Sequence, residues 1–127
     1  MKRKVLFLCT GNSARSQMAE GLVNHHLADS WQAASAGIAP AEAVHPLATQ
    51  AMLELDIDIS GQYPKSVSDF QGDSFDAVVT LCDQAAGSCP LWLGPGRIKH
   101  FGLPDPAGAA GRPEQQLQAF RAVRDRI

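Results

Sequence analysis

A chain of 127 residues, 45% of them hydrophobic, can bury one core and supports a single domain spanning residues 1–127. Its net charge of −2 lays no basic field over the surface, which argues against a nucleic-acid partner. No apolar run approaches the length of a membrane span, and the apolar part of MKRKVLFLCTGN is too short for a signal peptide.

In chain order, Lys4 to Leu8 is a short apolar run bounded by charge and then by Gly11, which predicts a buried strand. Ser16 begins a stretch with helical spacing, its inner face formed by Met18, Leu22 and His26 and flanked by Ala19, Val23 and Leu27. Gln32 to Ala36 predicts a second strand ending at Gly37, and Pro46 opens a helix with Leu47, Ala51 and Leu55 on its apolar face. The DIDIS stretch alternates polar and apolar as an extended connection. Asp76 to Leu81 is the clearest strand, with Cys82 at its carboxyl end; Arg97 to Phe101 predicts a fourth, and Pro113 to Ile127 a final helix with Leu117, Phe120, Val123 and Ile127 inward. Strands alternating with helices imply an α/β fold, a central four-stranded parallel sheet flanked by helices on both faces.

Three cysteines, Cys9, Cys82 and Cys89, are an odd number in a chain that folds without staples, so the expected compartment is reducing, the cytoplasm. They form no paired Cys-x-x-Cys hooks, and His25, His26, His45 and His100 are scattered, so no metal or other cofactor is expected.

The chemistry points to CTGNSARS, residues 9 to 16. Ligands of an open parallel sheet bind outside the carboxyl ends of its strands, and the predicted strands before Cys9, Cys82 and Asp105 bring those residues to one edge. The turn after Cys9 runs into a helix N-terminus, so the backbone of Thr10, Gly11, Asn12, Ser13, Ala14, Arg15 and Ser16 offers an anion several N–H groups and a positive dipole end. Arg15 adds a planar fork for a tetrahedral oxyanion, and the same surroundings favour the Cys9 thiolate as a nucleophile. Ser13 and Ser16 are expected to assist as donors, and Asn12 to take a left-handed conformation that ties the loop together.

Cys9, Gly11, Asn12, Arg15 and Ser16, with the order of elements over essentially the whole chain, resemble the low-molecular-weight phosphotyrosine phosphatase family. The resemblance implies a three-layer sandwich of the low-molecular-weight phosphotyrosine phosphatase-like type. It also implies a general acid followed by proline in a late loop, which Asp105-Pro106 supplies.

Three departures separate this chain from the phosphatases. Ala107-Gly108 follows Asp105-Pro106 where aromatic residues would wall a phosphotyrosine slot. Gln17, beginning QMAEG, stands where phosphatases carry proline and resembles the arsenate reductases of the same fold. LCDQAAGSCP carries two cysteines that a hydrolase would not need. Arsenate has the shape and charge of phosphate, so the same loop can bind it. Attack by Cys9, with Asp105 protonating the departing oxygen, gives a thiol-arsenate adduct. Cys82 then attacks the Cys9 sulfur, arsenite leaves, and Cys89 attacks Cys82 to free Cys9. The pattern resembles the thioredoxin-coupled arsenate reductases, which implies nucleophile, relay and resolving roles for Cys9, Cys82 and Cys89. On an intact helix Cys82 and Cys89 would lie roughly 10 Å apart along the axis, beyond disulfide reach, so the segment between them is expected to rearrange.

Ala14 stands where many relatives have a further cysteine. Some reductases of this group bind potassium through asparagine, glutamate, serine and aspartate; Asn12, Glu20 and Ser35 correspond, but Lys65 stands near the aspartate's place, so no potassium site is expected. The expected partners are arsenate and, as reductant, thioredoxin, with neither nucleic acid nor membrane, for a monomer. Two alternatives stay open: a phosphate-monoester hydrolase using Cys9, Arg15 and Asp105, and a non-enzymatic oxyanion-binding redox sensor, against which Asp105 argues.

Overall fold

The computed structural model describes residues 3–9, 11–70, 74–81, 97–101, 106 and 111–127. Its elements run β1 (Arg3–Cys9), α1 (Arg15–His26), β2 (Trp31–Gly37), α2 (Pro46–Leu53), a 3-10 helix (Val67–Phe70), β3 (Ala77–Thr80), β4 (Arg97–His100) and α3 (Pro113–Arg126). All strand pairs are parallel, in the order β2-β1-β3-β4. The chain turns outward from β1 to β2 and the opposite way from β3 to β4. The direction of strand succession therefore reverses between β1 and β3, the position outside whose carboxyl ends open parallel sheets bind ligands.

β1 is buried from Val5 to Cys9, as a strand covered on both faces must be. Its period of two divides the core. Val5, Phe7 and Cys9 face a cluster that includes Met18, Met52 and Phe120, one from each α-helix, whereas Leu6 and Leu8 join Ala36, Phe75 and Val78 beneath the 3-10 helix residues Val67 and Phe70. Among the described residues, then, all three α-helices pack on one face and the 3-10 helix covers the other. None of the described helices is long and apolar enough to cross a membrane.

The helices differ from their expected faces in informative ways. α1 buries Arg15 to Ala19 and Gly21, and exposes His26 and Leu27, because its buried half carries polar side chains whose hydrogen bonds are satisfied inside. Gly21 lets α1 approach the 52–62 segment: a Cβ there would stand 2.6 Å from Ile59 Cγ2. α2 buries Ala48, Ala51 and Met52 and ends at Leu53. Asp56 then turns left-handed at φ 60° and the Ile57 N–H returns to the Met52 carbonyl, which leaves Leu55 exposed. The DIDIS stretch does alternate, burying Ile57 and Ile59. α3 turns Leu117, Phe120 and Val123 inward and also buries Arg124, whose guanidinium reaches the Ala51 carbonyl and Glu54.

Candidate functional site

β1 carries Cys9 to the carboxyl edge of the sheet, in register with Gly37 of β2. Cys9 is a free, buried thiol. Leu81, the residue before Cys82, donates its amide to the Leu8 carbonyl at 2.7 Å, so β3 leaves the sheet beside the end of β1. Thr10, Cys82, Cys89 and Asp105 lie outside the described residues, while Pro106 is described and buried.

After Cys9 the chain turns at Asn12, which is fully buried and left-handed at φ 51°, a conformation asparagine tolerates. α1 starts at Arg15, 5% exposed, with Ala14 as its N-cap. Alanine has no side-chain oxygen to offer, so no side-chain cap occupies the first N–H groups of the helix.

The loop is held from outside by its carbonyls. Gly11 O accepts from the Ala41 N–H at 2.9 Å, Ser13 O from the His45 N–H at 2.8 Å, and Asn12 O from Gln17 Nε2 at 3.0 Å. In a trans peptide the following N–H points the opposite way. For the Gly11–Asn12 peptide that direction is visible, since the Asn12 N–H donates to Cys9 Sγ at 3.3 Å. Three successive peptides thus turn their carbonyls away, the arrangement that aims N–H groups at an anion beside the sulfur.

A second donor reaches Cys9. Its Sγ lies 2.8 Å from Ser16 Oγ. Asn12 Nδ2 donates to that same Oγ at 2.7 Å, so the single hydroxyl hydrogen of Ser16 is left for the sulfur. The Asn12 amide itself is oriented by a main-chain group, because the Lys65 N–H donates to its Oδ1 at 2.7 Å. Two donors therefore converge on Cys9, suited to a negative sulfur.

Gln17 was singled out in the sequence only as a departure from proline, and its structural role was missed. Fully buried, it donates to Asn12 O, to Asn12 Oδ1 at 3.1 Å and to Tyr63 O at 3.0 Å, and its Oε1 accepts from Gln62 Nε2 at 2.7 Å. Apolar periodicity gave no signal for it, because Gln17 lies across α1 from the face formed by Met18, Leu22 and His26. Nearby, Ser35 Oγ donates to Glu20 Oε1 at 2.6 Å, and Lys65 Nζ lies 3.8 Å from the same oxygen while donating to Tyr63 O. An ammonium stands beside Glu20 and Ser35.

Comparison with known proteins follows the same lines. Residues 4–127 match the family described as low molecular weight phosphotyrosine protein phosphatase. An arsenate reductase of Shouchella clausii is 45% identical over 99% of this chain and 90% of its own. An arsenate reductase solved in a phosphate-binding state is 36% identical with a TM-score of 0.80, over 97% of this chain and 88% of that one. The thioredoxin-dependent arsenate reductase of Corynebacterium glutamicum is 27% identical with a TM-score of 0.69, over 98% of this chain and 59% of that one. Since the family match spans residues 4–127 and a relative is 45% identical over 99% of this chain, the chain belongs to the low molecular weight phosphotyrosine protein phosphatase family.

Proposed function

We propose that this protein is an arsenate reductase working through Cys9, Cys82 and Cys89, with thioredoxin as reductant. The observation that carries the reading is the pair of donors on the Cys9 sulfur, from Ser16 and Asn12, in a chain that is 45% identical to an arsenate reductase.

Arsenate occupies the loop from Thr10 to Ser16, held by its N–H groups and by Arg15. The Cys9 thiolate attacks arsenic; a sulfur–arsenic bond forms, an arsenic–oxygen bond breaks, and a proton from Asp105 lets the oxygen leave as water. The Cys82 thiolate then attacks the Cys9 sulfur. The disulfide forms as the sulfur–arsenic bond breaks, and its electron pair stays on arsenic, which leaves as arsenite. The exit of β3 beside Leu8 supports this step, because the next residue is Cys82. Cys89 displaces Cys9 from Cys82, and the dithiol of thioredoxin reduces the Cys82–Cys89 disulfide. The reaction is placed in the cytoplasm, on a monomer of one domain with the three-layer, four-stranded architecture of its family.

The test is arsenate-dependent NADPH oxidation with thioredoxin and thioredoxin reductase, run beside aryl-phosphate hydrolysis. Brisk reduction with feeble hydrolysis is expected. The reverse would make Cys82 and Cys89 bystanders and the protein a phosphatase.

A further inference from the structure

We propose that Gln17 is a positioning residue: a buried latch that sets both the peptide orientation of the anion-binding loop and the hydrogen-bond polarity reaching the Cys9 sulfur. Of the three loop carbonyls held from outside, two are held by main-chain N–H groups, of Ala41 and His45. The middle one, Asn12 O, is held by the Gln17 side chain. With Asn12 O tied to Gln17, the trans peptide directs the Ser13 N–H to the opposite side, the side on which the Asn12 N–H meets Cys9 Sγ. Released, this peptide is free to rotate and turn a carbonyl toward the anion, replacing attraction by repulsion.

The same amide nitrogen controls the sulfur's second donor. Gln17 Nε2 and the Lys65 N–H both donate to Asn12 Oδ1, which forces Asn12 Nδ2 toward Ser16 Oγ and leaves the serine hydrogen for Cys9. Gln17 cannot be reversed in its own site. Three acceptors, Asn12 O, Asn12 Oδ1 and Tyr63 O, surround its nitrogen, while Gln62 Nε2 donates to its oxygen and also to its main-chain carbonyl at 3.0 Å. Each link thus has its donor and acceptor assigned by the next, from segment 62–65 through Gln17 and Asn12 to Ser16 and Cys9. This deepens the reductase reading and rests on it for its steady-state consequence alone, a lower kcat/KM for arsenate.

The test does not need that activity. In full-length protein carrying Cys82→Ser and Cys89→Ser, Cys9 is the sole thiol, and its alkylation by iodoacetamide is followed by mass with and without inorganic phosphate. Gln17→Met keeps shape and removes the bonds; Gln17→Glu keeps shape and sets a carboxylate oxygen against three acceptors. Expected is a fall of about tenfold in phosphate protection for Gln17→Met, the scale of one to two net hydrogen bonds, a larger fall for Gln17→Glu, and slower alkylation in both. Gln62→Met, at a half-buried site, is expected to move both readouts the same way by less, and decides the matter if the Gln17 variants fail to fold. Folded variants with parental alkylation rate and phosphate protection, whatever their melting temperatures, overturn the proposal. Parental arsenate reductase failure with intact Gln17 effects would instead count against the reductase reading.

Discussion

Replacing Gly21 by alanine sets a local gain against a tertiary loss. Inside a helix alanine is favoured over glycine by about 1 kcal/mol, and Gly21 lies within α1 with no positive φ to oppose the change. Its new methyl would stand 2.6 Å from Ile59 Cγ2, well inside van der Waals contact, while Met52 Cε at 3.5 Å and Gln62 Oε1 at 3.6 Å are ordinary neighbours. Ile59 is β-branched and 1% exposed, so that methyl has little room to swing. Overpacking of this kind costs about 2 kcal/mol, and subtracting the propensity gain leaves a net loss of about 1 kcal/mol. Ile59→Ala removes the obstruction, so in that background Gly21→Ala should stabilise by about 1 kcal/mol. The change of sign is what a double-mutant cycle reads. Urea denaturation of the four proteins, followed by circular dichroism, measures it, with a constant m-value showing that the unfolded reference has held. A Gly21→Ala protein as stable as its parent would refute the claim that this contact seats α1, and with it Ser16 and Gln17, against the 52–62 segment.

Other expectations follow from the same structure. Hydrogen bonds from Arg121 and then Arg124 hold the Glu54 carboxyl down to about 2 from an ordinary 4.5. A depressed carboxyl stabilises above its unfolded value and loses that contribution as pH falls from 4.5 toward 2. The melting temperature of Glu54→Gln should therefore lie below the parent's at pH 7 and converge with it near the acid end, and added salt should shrink the gap because the site is partly exposed. His45 Nδ1 accepts from the Leu47 N–H as the cap of α2, and its ring lies 4.6 Å from that of Phe120. Denaturant titration of His45→Ala should show a loss of about 2 kcal/mol, one part cap and one part ring contact, with His45→Asn between it and the parent; equal losses would show that the cap contributes nothing. For Cys89→Ser, quenched-flow assay should find one arsenite per enzyme and then arrest, and sustained turnover with thioredoxin would show Cys89 to be dispensable.

Contiguity decided what the sequence made legible. The loop from Cys9 to Ser16 is one unbroken stretch, so its left-handed Asn12 and helix entry were readable from residue types alone. β1 was readable because a strand buried on both faces is a nearly continuous apolar run, and β3 because of its β-branched residues Val78, Val79 and Thr80. The inner face of α1 was misread for the opposite reason. Its buried residues include Ser16 and Gln17, and a search for apolar periodicity steps over buried polar groups. Their partners lie far along the chain: Gln62 is 45 residues from Gln17, and Lys65 is 53 from Asn12. Nothing local in GQYPK reports that its backbone will anchor a loop so distant in sequence.

Beneath the Cys9 loop the protein keeps Asn12, Ser16, Gln17 and Ser35 fully buried, in a place where apolar side chains would pack with less risk. None of the described buried polar side chains lacks a partner. A saturated network of this kind has few ways to be rearranged, since turning any one amide leaves a donor facing a donor. The directionality originates at a group that cannot invert, the main-chain N–H of Lys65, and passes through Asn12 to the hydroxyl of Ser16. An apolar floor would hold the sulfur in position equally well but would offer it no hydrogen-bond donor. Polar burial is thus how a cysteine only 2% exposed, on a central strand of the core, still meets hydrogen-bond donors from Asn12 and Ser16 rather than apolar packing alone.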